Sequence, residues 1–135
     1  MAAAGYSGTP LQRKLGFKPG DTAAFLDAPD HLDDLFGTLD GVTVTRSLHG
    51  RADVVLCFVT ARKEIERRAA RLREAIAPDG MVWVCWPKRA SKVPTDMTED
   101  VVRDVLLPTG LVDVKVAAVD ETWSGLKLMV RRELR

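Results

Sequence analysis

"ADVVLCFVTARKEIERRAARLREAIAPDGMVWVCW", residues 52 to 86, decides the fold of this chain. Its first part, Ala52 to Thr60, is a near-continuous apolar run rich in valine, as in a strand buried on both faces. Thr60 then caps a long helix, Ala61 to Ile76, whose Ile65, Ala69, Leu72 and Ile76 recur at the spacing of one helical stripe. The other positions carry Arg62, Glu64, Glu66, Arg67, Arg68, Arg71 and Glu74, partly as opposite charges four apart such as Glu64 with Arg68. Ala77-Pro78-Asp79-Gly80 breaks the helix, and "MVWVCW" returns as a second buried strand, stopped by Pro87. Strand, helix and strand in this order make a right-handed parallel crossover. It puts Val55, Phe58, Val82, Val84, Ile65 and Leu72 in one buried cluster.

The alternation extends both ways from this unit. Toward the N-terminus, Thr9, Pro10 and Gln12 supply the cap, first-turn proline and capping-box partner of a short helix that Gly16 closes, with Leu11 and Leu15 on one face. A strand follows over Thr22 to Asp27, then a short helix from Pro29 to Phe36, a turn at Asp40-Gly41 and a short strand, Val42 to Arg46. The link from Arg46 to Asp53 reaches about 24 Å, against roughly 20 Å for a parallel crossover past one strand. That is feasible but taut; the alternative is that residues 42–46 run antiparallel. Toward the C-terminus, Asp96 can cap a helix with Glu99 three residues on, its buried side being Val101, Val102, Val105 and Leu106. "LVDVKVAAV" and "LKLMVRREL" alternate as strands joined by the turn "DETWSG", antiparallel to each other. The whole reads as an α/β fold, a mostly parallel sheet between layers of helices, in a single domain of residues 1–135 with a helical arm over 1–20.

Composition narrows the function. With 135 residues, 46% hydrophobic and 29% charged, the chain suits one sizeable core. Twenty basic against nineteen acidic residues leave a net charge of +1, which argues against a nucleic-acid partner. No apolar run approaches the length of about eighteen residues that a membrane span needs. "MAAAGYSGTP" has neither a charged start nor an apolar stretch, so no export signal is read and a cytoplasmic location is expected. Cys57 and Cys85 lie in apolar runs on adjacent strands and read as reduced, buried thiols. His31 and His49 have no ligand at metal spacing, so no metal is expected.

Three stretches together resemble the class I methyltransferase core: "ADVVLCFVT", "LREAIAPDGMVWV" and "GLVDVKVAAVDETWSGLKLMVRR". The resemblance implies a Rossmann-like three-layer sandwich with strand order 2-1-3-4-6-5, the last strand inserted antiparallel. At a finer level "GYSGTPLQRKLGFKPG", "WPKRASKVPTDMTEDVV" and "VDETWSGLKLMVRR" are similar to a family of short, mainly actinobacterial proteins, a domain of unknown function. A class I methyltransferase carries a glycine-rich turn after its first strand and an acidic residue ending its second, and these hold S-adenosylmethionine. This chain has Asp27-Ala28-Pro29 and Thr45-Arg46-Ser47 in those places. Pro29 removes a backbone donor and fixes the turn. No cofactor is therefore expected, and ordinary S-adenosylmethionine binding is not.

Ligands of such sheets bind outside the carboxyl ends of the strands. The residues delivered there are Asp27, Thr60, Arg62, Trp86, Lys88 and Trp123. Asp27 is either a base or acceptor, or the cap of the next helix. Trp86 is either a stacking platform or core, and Trp123, placed in a turn, either packs back or binds something. Lys88, Arg89 and Lys92 precede a helix start capped by Asp96, where free backbone N–H groups favour an anion. With no nucleophile and base in view, the leading expectation is a non-enzymatic module binding an anionic small molecule or a protein partner. The alternative is an enzyme on a degenerate methyltransferase-like core. No feature of the chain sets an oligomeric state.

Overall fold

The valine-rich runs pair at the centre of the sheet, in a computed structural model that describes residues 11–31, 41–48 and 50–135. Thr9 and Pro10 of the expected N-terminal cap, the part of the expected helix Pro29 to Phe36 that follows residue 31, and His49 lie outside the described residues. Strand β3 (Ala52–Phe58) and strand β4 (Ile76–Pro87) are parallel, with Val55 opposite Val82 and Cys57 opposite Val84. Strand β1 (Thr22–Leu26) lies parallel to β3 on its other side, and β2 (Thr43–Thr45) parallel to β1. The taut link is thus a parallel crossover, feasible because β2 is only three residues long and leaves little length to retrace. Strand β6 (Trp123–Val130) runs antiparallel to β4, and β5 (Leu111–Ala118) antiparallel to β6. The order is β2-β1-β3-β4-β6-β5.

Among the described residues, three helices cover the sheet: α1 (Leu11–Leu15), α2 (Arg62–Ala75) and α3 (Glu99–Leu106). Ile65, Leu72, Val102 and Leu106 of α2 and α3 pack on Val55, Val82, Val84, Leu126 and Leu128 on one face. Leu15 and Phe17 pack on Phe25, Leu56, Phe58 and Trp83 on the other. The single cluster expected from sequence is therefore corrected at Phe58. Successive strand residues point to opposite faces, so Phe58 leaves the side of Val55 and Cys57. The same alternation separates the buried thiols, Cys57 facing α2 and Cys85 the α1 side. Val101 and Val105 are only half-buried, because Val102 and Leu106 point most directly at the sheet.

Strand β4 begins earlier than its sequence suggests. Ile76 pairs with Ala52, residues 77–80 loop out, and pairing resumes with Met81 opposite Val54. Gly80 is required in that excursion, since a Cβ there would lie 2.8 Å from the Asp53 carbonyl oxygen. The Asp53 carboxylate meanwhile accepts a 2.8 Å bond from the Thr22 N–H and secures the start of β1.

Candidate functional site at the carboxyl ends of the strands

Strand β1 ends at Leu26, one residue short of the span read from sequence, because Asp27 turns the chain with φ +55°. That left-handed conformation is uncommon for a residue other than glycine, although Asp tolerates it better than most. The Asp27 carboxylate Oδ2 accepts a 2.7 Å ion-paired bond from Arg68 Nη2. Beside it, the Arg46 guanidinium at the end of β2 lies 5.8 Å from the centre of the Phe25 ring. Arg71, one turn beyond Arg68 on α2, donates to the Leu48 carbonyl at 2.9 Å. Asp27, Arg46, Arg68 and Arg71 line a cleft of about 280 Å³.

The start of α2 explains why Arg68 pairs with Asp27 and not with Glu64. Glu64 Oε1 accepts the backbone N–H of Thr60 at 2.8 Å and of Ala61 at 3.0 Å, satisfying donors at the helix start. Thr60 therefore supplies backbone to the cap, and its side chain is not the capping group for a helix N–H. Asp96 contributes as well, but to a different helix from the one expected. Its Oδ1 accepts the Arg62 N–H of α2 at 2.7 Å, while Thr98 Oγ1 caps α3 by accepting from Val101 N at 3.1 Å. Asp96 and Thr98 both carry capping side chains, and the loop path delivers the carboxylate to the neighbouring helix. The Arg62 side chain pairs with Glu66 at 2.9 Å.

These N–H bonds, that from Thr60 foremost, hold the Glu64 carboxyl below its ordinary value of 4.5. A depressed carboxylate contributes stability above its unfolded value and loses it as pH falls through the folded one. Glu64→Gln should therefore lower the melting temperature at neutral pH. Its deficit relative to wild type should close as pH drops below about 4.5, which thermal melts across pH will show. A deficit independent of pH would mean that the charge of Glu64 contributes nothing.

The loop after β4 forms a second cleft, of about 450 Å³, lined by Trp86, Arg89, Lys92, Thr95, Thr98 and Glu99 among others. Trp86 is almost wholly buried in the α2–α3 core. Lys88 does not line this cleft; its backbone N–H donates to the Thr122 carbonyl at 2.7 Å and ties the loop to the last hairpin. Nor is the start of α3 a free anion seat. Glu99 and Asp100 already sit in its first turn, and Arg103 bonds both of them as well as Asp113.

Trp123 is not in a turn. It opens β6 opposite Pro87 and packs edge-on against Phe58, ring centres 5.1 Å apart at 85°. Asp120, buried beside it, makes the turn: its Oδ1 accepts from the N–H groups of Thr122 at 2.8 Å and Trp123 at 2.6 Å. Its Oδ2 lies 2.7 Å from His31 Nε2. Sequence reading missed this pair, whose members stand 89 residues apart with no spacing to betray them. The His31 side chain is half-exposed. Elsewhere, burial raises the Cys57 thiol to about 12 and pushes Cys85 up as well, so both stay protonated and inert. Among the described residues, no cluster of three or more His, Cys, Asp or Glu side chains could hold a metal, and no helix is long and apolar enough to cross a membrane.

No protein-family model and no curated protein matches the chain. Solved structures do match, and several of them are methyltransferases. A SAM-dependent methyltransferase from Aquifex aeolicus superposes with a TM-score of 0.58 at 16% identity, over 89% of this chain and 87% of that one. A ribosomal protein L11 methylase from Lactobacillus delbrueckii subsp. bulgaricus gives 0.57 at 12%, over 90% and 76%. Magnesium protoporphyrin IX methyltransferase from Synechocystis PCC 6803, with bound SAM, gives 0.58 at 10%, over 89% and 74%. The likeness shows a Rossmann-like, methyltransferase-like core. The residues at the cofactor's expected place do not fit it. S-adenosylmethionine carries a sulfonium cation, and among the described residues the cleft where β1 and β2 end presents Arg46, Arg68 and Arg71, with the Asp27 carboxylate already paired to Arg68.

Proposed function

We propose that this protein is an enzyme on a methyltransferase-like core, working without ordinary S-adenosylmethionine use, with His31 as its general base. The His31–Asp120 pair carries the reading. An ionised Asp120 accepts from the Nε2–H of His31, which selects the tautomer whose Nδ1 keeps its lone pair. That lone pair takes a proton from a substrate hydroxyl or amine, and Asp120 stabilises the imidazolium that forms. The pair sits at the end of the sheet where this fold places ligands. We also place the chain in the actinobacterial family that its sequence resembles, on the three stretches that carry the likeness.

A second reading, a module that binds an anionic small molecule, is supported by Trp86, Arg89 and Lys92 lining one cleft. One experiment separates the two. The protein is incubated with a pooled extract of small metabolites, with and without added S-adenosylmethionine, and followed by mass spectrometry. Wild type should convert at least one compound without the additive, and His31→Asn should do so roughly a hundredfold more slowly. No conversion by wild type, or equal conversion by His31→Asn, overturns the enzyme reading. The binding reading then stands only if carboxylates or phosphates raise the melting temperature of wild type and not of the Arg89→Ser, Lys92→Ser double variant.

A further inference from the structure

We infer that the cleft between the ends of β1 and β2 is a binding site for a small phosphate monoester, such as a phosphosugar. The inference is independent of whether His31 is a base. Three guanidinium groups line one small concavity in a protein whose net charge is only +1. They come from two separate elements, Arg46 after β2 and Arg68 and Arg71 on α2, so the fold gathers them. Each is already oriented: Arg46 against Phe25, Arg68 by Asp27, Arg71 by the Leu48 carbonyl. A guanidinium carries five N–H donors in a fixed fork. The single bonds that hold Arg68 and Arg71 leave donors on each for phosphate oxygens, with the geometry of the forks set in advance.

Size and charge narrow the class. A volume of about 280 Å³ is at the small end of ligand sites, enough for a phosphoryl group with a pentose and too little for a dinucleotide. The sulfonium of S-adenosylmethionine would face three like charges, while a phosphate dianion is complementary to them. Among the described residues that line the cleft, Asp27 is the one that opposes an anion. It turns the chain in a left-handed conformation and keeps Arg68 paired, with its own carboxylate 63% exposed and open to displacement.

Asp27 makes the test sharp, because its replacement should improve binding. Titration calorimetry with ribose 5-phosphate should show binding to wild type that weakens as salt rises. Arg71→Gln keeps a donor for the Leu48 carbonyl but loses a charge-assisted contact, and should weaken binding about tenfold or more. Asp27→Asn should tighten it, an outcome that a misfolded variant cannot imitate. Inorganic phosphate should bind in competition with the sugar phosphate, S-adenosylmethionine should not compete, and His31→Asn should bind as wild type does. Absence of heat with either phosphate, displacement by S-adenosylmethionine, or affinities unchanged in both Arg71→Gln and Asp27→Asn overturns the site.

Discussion

Trp83→Ala is expected to remove about 3–5 kcal/mol of stability, through lost contacts and the cavity left behind. A domain of ordinary stability holds only about 5–15 kcal/mol in all, so the variant should stand near the edge of unfolding. Trp83 is the largest side chain with no exposure, on the α1 face of the central strand β4. Its indole covers Gly125 of β6, where a Cβ would come within 3.1 Å of Trp83 Cε3. The same ring does polar duty, since Nε1 donates to the Leu15 carbonyl at 2.9 Å and fastens the end of α1 to the sheet. Truncation therefore loses the apolar contacts and also strands a buried acceptor, which by itself costs roughly 1–3 kcal/mol. Trp83→Phe keeps part of the ring and isolates that second contribution. Urea unfolding followed by far-ultraviolet circular dichroism measures both, free of the change in tryptophan fluorescence. A loss under about 1 kcal/mol for Trp83→Ala would show that the indole is not the packing centre of that face.

What sequence makes legible here is whatever depends on neighbours along the chain. The apolar run of β3 and the stripe Ile65, Ala69, Leu72 of α2 are local periodicities, and the structure reproduces them. Strand order followed from resemblance, since hydrophobic runs alone do not say which edge a strand joins. The readings that needed correction involve competition between distant groups. Asp96 precedes Glu99 at capping-box spacing, yet its carboxylate serves the start of α2, thirty-four residues away. Glu64 and Arg68 are four apart on a helix, but two backbone N–H groups and a remote Asp27 bind each more effectively.

The candidate site was legible by address and not by content. The carboxyl ends of β1, β3 and β4 were the expected place, and Asp27, Trp86 and Arg89 do border clefts there. The charged residues that the structure gathers around Asp27 were not singled out. Arg68 and Arg71 read only as charges on the helix, and Arg46 only as the end of the second strand, because nothing in their spacing announces a shared cleft. His31 and Asp120 meet only because β1 and the last hairpin finish at the same end of the sheet, an encounter created by topology.

Ile65→Ala should lose about 2–5 kcal/mol, and how that loss combines with a second change tests the two-faced core. Ile65 is fully buried on α2 and packs among Val55, Val82, Val84 and Val102. Its neighbours belong to a rigid sheet and two helices, which cannot collapse into the space, so a cavity should persist. Phe58 stands on β3, three residues from Val55, but looks the other way, onto Trp123. If the sheet divides the interior as described, Ile65→Ala and Phe58→Leu are separate perturbations, and their losses should add to within roughly 0.5 kcal/mol. Had the two side chains shared one cluster, relaxation around the first change would alter the cost of the second, and a coupling of about 1 kcal/mol or more would appear. Urea midpoints of the two single variants and the double variant decide between these. Such coupling would return Phe58 to the face of Ile65 and away from its edge-on contact with Trp123.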